Sequence, residues 1–65
     1  MSQPLIGDWY RDLDSPVYEI ICVDDEEDMV EVQYLDGTVE EFSLVEWEEG
    51  FENGEIVKTD PPEDF

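Results

Sequence analysis

The sequence predicts a small, mostly β domain of five short strands, with one helical turn ahead of the last strand. Three observations predict it. Apolar and polar residues alternate with a period of two over residues 29–35. Turn-forming clusters, among them Asp12-Leu13-Asp14-Ser15-Pro16 and Asp36-Gly37, recur at short intervals. The 65 residues are 40% hydrophobic and include two Trp, three Tyr and three Phe, enough for one modest core.

Residues 1–4 read as a loose lead-in. Residues 8–11, Asp-Trp-Tyr-Arg, follow Gly7 as a first short strand. The next five residues turn the chain, because Asp and Ser side chains bond nearby backbone and Pro16 fixes φ. Residues 17–23, Val-Tyr-Glu-Ile-Ile-Cys-Val, form the clearest strand, being rich in β-branched residues. Strict alternation puts Tyr18, Ile20 and Cys22 on one face and Val17, Glu19, Ile21 and Val23 on the other. Only Glu19 is polar, so both faces are expected to be covered, and Cys22 is expected to be buried and inert.

Asp24-Asp25-Glu26-Glu27-Asp28 is an exposed hairpin loop. Residues 29–35 form a half-buried strand with Val30, Val32 and Tyr34 on one face. Asp36-Gly37 then signals a hairpin into residues 38–42. A two-residue turn would set Glu41 opposite Val32. A three-residue loop, 35–37, with Gly37 left-handed, sets Phe42 opposite Val30. The second is favoured because it pairs apolar with apolar. Ser43 caps a helical turn, with Glu46 three residues on as its capping-box partner. Gly50 and Gly54 are expected to hold that helix to a single turn. Residues 55–58 supply the last strand. Residues 59–65 form an extended acidic tail, since Pro61-Pro62 cannot join a ladder. The chain is thus one domain, residues 1–65, with an ordered core over 6–58.

Charge limits function more than any motif does. Twenty-one Asp and Glu face only Arg11 and Lys58, there is no histidine, and the net charge is −19. Such a surface repels nucleic-acid phosphate and anionic headgroups, so no direct nucleic-acid or membrane binding is expected. It attracts basic protein and peptide surfaces. Catalysis lacks its usual parts: no imidazole partners Ser2, Ser15 or Ser43, and there is one lysine. No enzyme activity and no cofactor are expected. Cys22 is the only cysteine, which excludes an internal disulfide and a Cys-rich metal site and fits a reducing, cytoplasmic setting. The first residues carry neither a basic start nor a long apolar run, so neither a signal peptide nor a membrane span is expected. A monomer is favoured.

The five-acid loop offers oxygen ligands to hard cations. It lacks EF-hand spacing, so weak, diffuse cation binding is expected and a specific metal site is not. With Glu40 and Glu41, residues Asp24, Asp25, Glu26, Glu27 and Asp28 make the candidate acidic patch.

Four local features carry a resemblance: Gly7-Asp8 before the first aromatic pair, the long second strand, Tyr34-Leu35-Asp36-Gly37, and Leu44-x-x-Trp47. In this spacing residues 6–47 resemble a Tudor-type domain, which implies a small five-stranded SH3-like barrel. The whole sequence is similar to a family of small, acidic, uncharacterised bacterial proteins that share the Gly-x-Trp-Tyr-Arg-Asp-Leu-Asp start and the Pro-Pro-Glu-Asp-aromatic end. That similarity implies no activity. The Tudor resemblance implies an aromatic cage for a methylated cation. Tyr18 and Tyr34 fall on strands that match cage-bearing ones, and Trp9 or Tyr10 would add a wall. The family's aromatic after the hairpin has no counterpart at Gly37-Thr38, and its flanking Asn has none nearby. The competing reading makes Trp9, Tyr18, Tyr34, Phe42 and Trp47 the core.

The expected function is a non-enzymatic binding module or adaptor that docks a basic partner on an acidic surface. Two alternatives stand beside it: a nucleic-acid mimic that inhibits a DNA- or RNA-binding protein, and a weak divalent-cation binder.

Overall fold

The computed structural model describes residues 4–13 and 16–62, so Asp14, Ser15 and the ends of the chain lie outside the description. It is mostly β, with one five-stranded antiparallel sheet and one helix. The strands are β1 (Trp9–Asp12), β2 (Val17–Asp24), β3 (Met29–Tyr34), β4 (Val39–Ser43) and β5 (Ile56–Thr59). Helix α1 (Leu44–Glu52) stands between the last two. The order across the sheet is β4-β3-β2-β1-β5. The first four strands form a meander, and α1 returns the chain so that β5 pairs with β1, Tyr10 opposite Lys58.

One face of the sheet carries the core. Tyr10, Tyr18, Ile20, Val30 and Val32 point there and are joined by Leu44 and Trp47 of α1 and Ile56 of β5. Trp47 stands edge-on to Tyr10 at 4.8 Å and stacks on Phe51 at 5.6 Å. Aromatic pairs at these separations add to the stabilisation from area burial.

The β3–β4 hairpin has the apolar register: Val30 is opposite Phe42 and Gln33 opposite Val39. The Gly37 N–H donates to the Tyr34 carbonyl at 3.0 Å, and Gly37 has φ +92°. That is the left-handed residue a three-residue loop requires.

Three expectations need correction. First, α1 is not a single turn but nine residues long. Gly50 does not stop it; Gly50 lies buried inside the helix, where a Cβ would come within 3.0 Å of Ile56 Cδ1. The stop is Gly54, with φ +83°. Its N–H donates to the Phe51 carbonyl and the Glu55 N–H to the Gly50 carbonyl, the paired closure of a Schellman motif.

Second, strict alternation fails within β2. Ile20 pairs with Val32, but Cys22 pairs with Glu31 and Val23 with Val30. Ile21 is the extra residue of a β-bulge. Past it, Val23 packs against the core, while Cys22 lies beside Glu31 and is half-buried.

Third, the sheet does not close into a barrel. β4 and β5 are its two edges and do not pair with each other. Helix α1 contacts β3, β4 and β5 and takes up the space in which closing strands would meet.

Candidate functional site

Where β4 and β5 fail to meet, a groove of ≈ 690 Å³ opens beside α1. Its residues come from every strand but β3. Tyr18, Trp47, Gly50 and Ile56, all buried, form the floor. Phe42 and the exposed Leu13 line it as well. Four carboxylates stand along it: Asp12 at the end of β1, Glu41 on β4, Glu46 in the first turn of α1, and Glu55 just before β5. No Lys or Arg lines the groove.

The floor is tied together by hydrogen bonds. The Trp47 indole Nε1–H donates to Tyr18 Oη at 3.0 Å, and both groups are buried. Burial pushes the Tyr18 hydroxyl far above the ordinary tyrosine range; the Trp47 N–H opposes the shift in part, and the Asp12 carboxylate adds to it, both by its charge and by a hydrogen bond with the hydroxyl. Tyr18 therefore stays neutral, accepting from the helix while bonded to β1. The groove has room for a long side chain with an apolar stem and a cationic head, the stem against Leu13 and Phe42 and the head among carboxylates.

Of the four aromatics considered for a cage, Trp9, Tyr10 and Tyr18 are buried at 5%, 5% and 0% exposure, which leaves them little surface to offer a ligand. Tyr34 is half-buried. Its ring stands edge-on to Tyr18 at 5.7 Å, and its hydroxyl donates to Glu40 at 3.3 Å. Burial and then the Glu40 charge raise the Tyr34 hydroxyl above its usual range. Tyr34 and Glu40 share a shallow depression with Pro16, Leu35, Asp36 and Thr38, with no second aromatic ring in its lining among the described residues.

The acidic loop divides by role. Asp24 Oδ1 accepts from the Glu26 and Glu27 N–H groups at 3.0 and 3.2 Å, a local turn bond. Asp28 has φ +52° and reaches across to the start of α1. Its Oδ2 accepts from Ser43 Oγ at 2.7 Å, and its Oδ1 from the Val45 N–H at 3.0 Å. The Ser43 hydroxyl oxygen in turn accepts from the Glu46 N–H at 3.4 Å, as expected of the cap. Asp25, Glu26 and Glu27 are exposed at the tip. Glu41 lines a shallow depression with Glu27 and Asp28 of this loop, and it stands on the groove as well.

The sequence marked Glu41 for the acidic patch and Glu46 for the cap, but nothing in it joins the four groove acids. Asp12 and Glu55 look like any other of the twenty-one acids. Only the passage of α1 from β4 to β5 sets them on one opening. Among the described residues, no group of three or more acidic or cysteine side chains is arranged to hold a metal ion. No helix among them is long and apolar enough to cross a membrane.

One family model matches the chain over residues 1–65, and its description is a family of unknown function. No curated protein and no solved structure matches the chain.

Proposed function

The chain belongs to this family, DUF6763, and we propose that it is a non-enzymatic binding module that docks a basic protein on its acidic surface. The observation that carries the reading is the charge of −19, against which the chain sets only Arg11 and Lys58. Lys58 is itself turned to an acid, its Nζ lying 3.6 Å from Asp8 Oδ2. A field of one sign speeds encounter with a basic face and orients it. The finer reading of the fold is an SH3-like, Tudor-like arrangement left open at one seam. The strand order and the helix before β5 support it. A reducing, cytoplasmic setting suits the lone thiol of Cys22.

The test is a titration with a fluorescent Arg- and Lys-rich peptide, beside an acidic peptide of equal length. The expected result is saturable binding of the basic peptide alone, weakening as salt rises. Absence of binding at low salt overturns the reading.

A second reading, nucleic-acid mimicry, has one observation in its favour. It draws on the density of like charge, −19 on 65 residues, which a protein built to hold polyanionic phosphate would attract. A mimic displaces duplex DNA from a non-sequence-specific DNA-binding protein. Failure to compete, with peptide binding intact, rejects mimicry and leaves the first reading standing.

A further inference from the structure

We propose that the groove between β4, α1 and β5 is the docking site for an extended, arginine-bearing segment of the basic partner; this rests on the binding-module reading and adds a place to it.

The shape and chemistry of the groove argue for this occupant. The exposed Leu13 and the half-buried Phe42 give the groove its accessible apolar surface, above a floor of buried Tyr18, Trp47 and Ile56, and the acids stand at four separate places in the fold: Asp12 on β1, Glu41 on β4, Glu46 on α1 and Glu55 just before β5. An arginine matches both parts. Its methylene stem covers the Leu13 side chain, its guanidinium packs on the Phe42 ring, and its fork of N–H donors fits carboxylates. A wholly apolar ligand would strip water from the acids without pairing them, and an acidic one would be repelled.

The neighbouring backbone favours an extended segment. Among the described residues β4 pairs with β3 alone and forms one edge of the sheet, and Glu41, Phe42 and Ser43 of that strand line the groove. Val39, Glu40 and Glu41 are exposed along it. A free strand edge accepts main-chain hydrogen bonds from an added strand. A second copy of this chain brings a charge of −19 to an edge bearing Glu40 and Glu41, whereas a basic segment neutralises it.

The experiment uses the full chain and a short peptide with one central Arg flanked by Lys and Ser. Two double variants have the same net charge: E46Q/E55Q in the groove and E26Q/E27Q at the tip of the β2–β3 loop. All four side chains are exposed, and thermal melts check that both variants fold. The groove pair is expected to weaken binding about tenfold, and the loop pair less than about twofold. On the parent protein, an NMR titration follows the two tryptophan indole N–H signals. The Trp47 signal is expected to shift, because its acceptor Tyr18 lies on the groove floor, and the Trp9 signal is not. Equal losses from both variants, or an unmoved Trp47 signal, overturn the groove and leave diffuse docking in place. A concentration-dependent dimer abolished by the groove pair assigns the groove to a second copy and likewise overturns the proposal. If the parent binds no basic peptide at all, the binding-module reading falls with it.

Discussion

Asp28 and Ser43, fifteen residues apart in sequence, hold the two ends of the β3–β4 hairpin to the start of the helix. The Ser43 hydroxyl donates to Asp28 Oδ2 at 2.7 Å, and the other Asp28 oxygen accepts the Val45 N–H at 3.0 Å. The Asp28 carbonyl takes the Leu44 N–H as well, at 3.2 Å. Helix α1 thus gets its cap from Ser43 just before it and from a loop two strands earlier in the chain, which the pairing of Met29 with Ser43 brings alongside. Asp28 also sets a negative charge at the positive end of the helix dipole.

Asp28→Ala is accordingly expected to cost about 1–2 kcal/mol, as loss of a helix cap does. Asp28→Asn keeps an acceptor and tolerates the left-handed backbone, so it should cost less. Urea midpoints measure both. An alanine variant as stable as the parent would show that the cross-strand cap contributes nothing.

Tyr18→Phe removes the acceptor of the buried Trp47 N–H and leaves that donor unpaired. The expected cost is about 1–3 kcal/mol. The same hydroxyl governs behaviour in alkali. Its folded pKa is raised above the unfolded value of 10.0 by burial, so the neutral phenol stabilises the fold fully below pH 10.0. Above that, the unfolded chain loses its proton first, and stability falls as pH rises towards the folded pKa. Tyr10 and Tyr34 are raised too, each chiefly by burial, and add to the fall. Tyrosinate absorbance should therefore appear together with unfolding. Full ionisation of all three tyrosines in a folded chain would contradict this.

Gly50 and Ile56 are expected to be coupled. Alanine in a helix interior is favoured over glycine by about 1 kcal/mol. Here its Cβ would sit 3.0 Å from Ile56 Cδ1, so Gly50→Ala alone loses that gain to crowding. Ile56→Val deletes the Cδ1 atom at a typical cost of about 0.5–1.5 kcal/mol. The double variant should be more stable than the sum of the singles predicts. Simple additivity in the cycle would reject the contact.

Cys22, moved to the outer side by the bulge, should label in the native protein. Its thiol pKa is raised by desolvation and then by the Glu31 carboxylate, so labelling at neutral pH should be slower than in a free peptide and should accelerate in alkali. Cys22→Ser should cost less than a core substitution does. Complete protection from a small thiol reagent would return Cys22 to the core.

Salt should stabilise the protein. Like charges crowded on a surface this small repel one another more in the native state than in an expanded chain, and salt screens them over about 10 Å at 0.1 M. Thermal melts from low to moderate NaCl should show a rising Tm. A flat series would mean that the acids are already spaced far enough apart.

What the sequence revealed follows from how local each signal is. The β3–β4 register was legible because Asp36-Gly37 and the alternation around it specify one pairing. The Ser43 cap was legible for the same reason. The helix length was not, because Gly50 reads as a breaker until Ile56 is known to lie against it. The bulge was not, because Ile21, Cys22 and Val23 are all apolar and fit either face. The groove was the least legible. Its acids are separated by up to 43 positions, Asp12 to Glu55, and share an opening only through tertiary structure.

The bulge at Ile21 makes length the quantity that β2 guards. The strand runs in two phases, one set by Tyr18 and Ile20 and the other by Val23, and a single extra residue reconciles them. Substitutions along it leave both phases intact, but an insertion or deletion on either side of Ile21 turns one half inside out. The damage would travel further, because the loop that follows must deliver Asp28 to the helix. A relative one residue shorter in this region can keep the same core only by losing Ile21 itself, and with it the local twist of the sheet. Insertions are better tolerated at the exposed tip, among Asp25, Glu26 and Glu27, than at Asp28, which ties the loop to the helix.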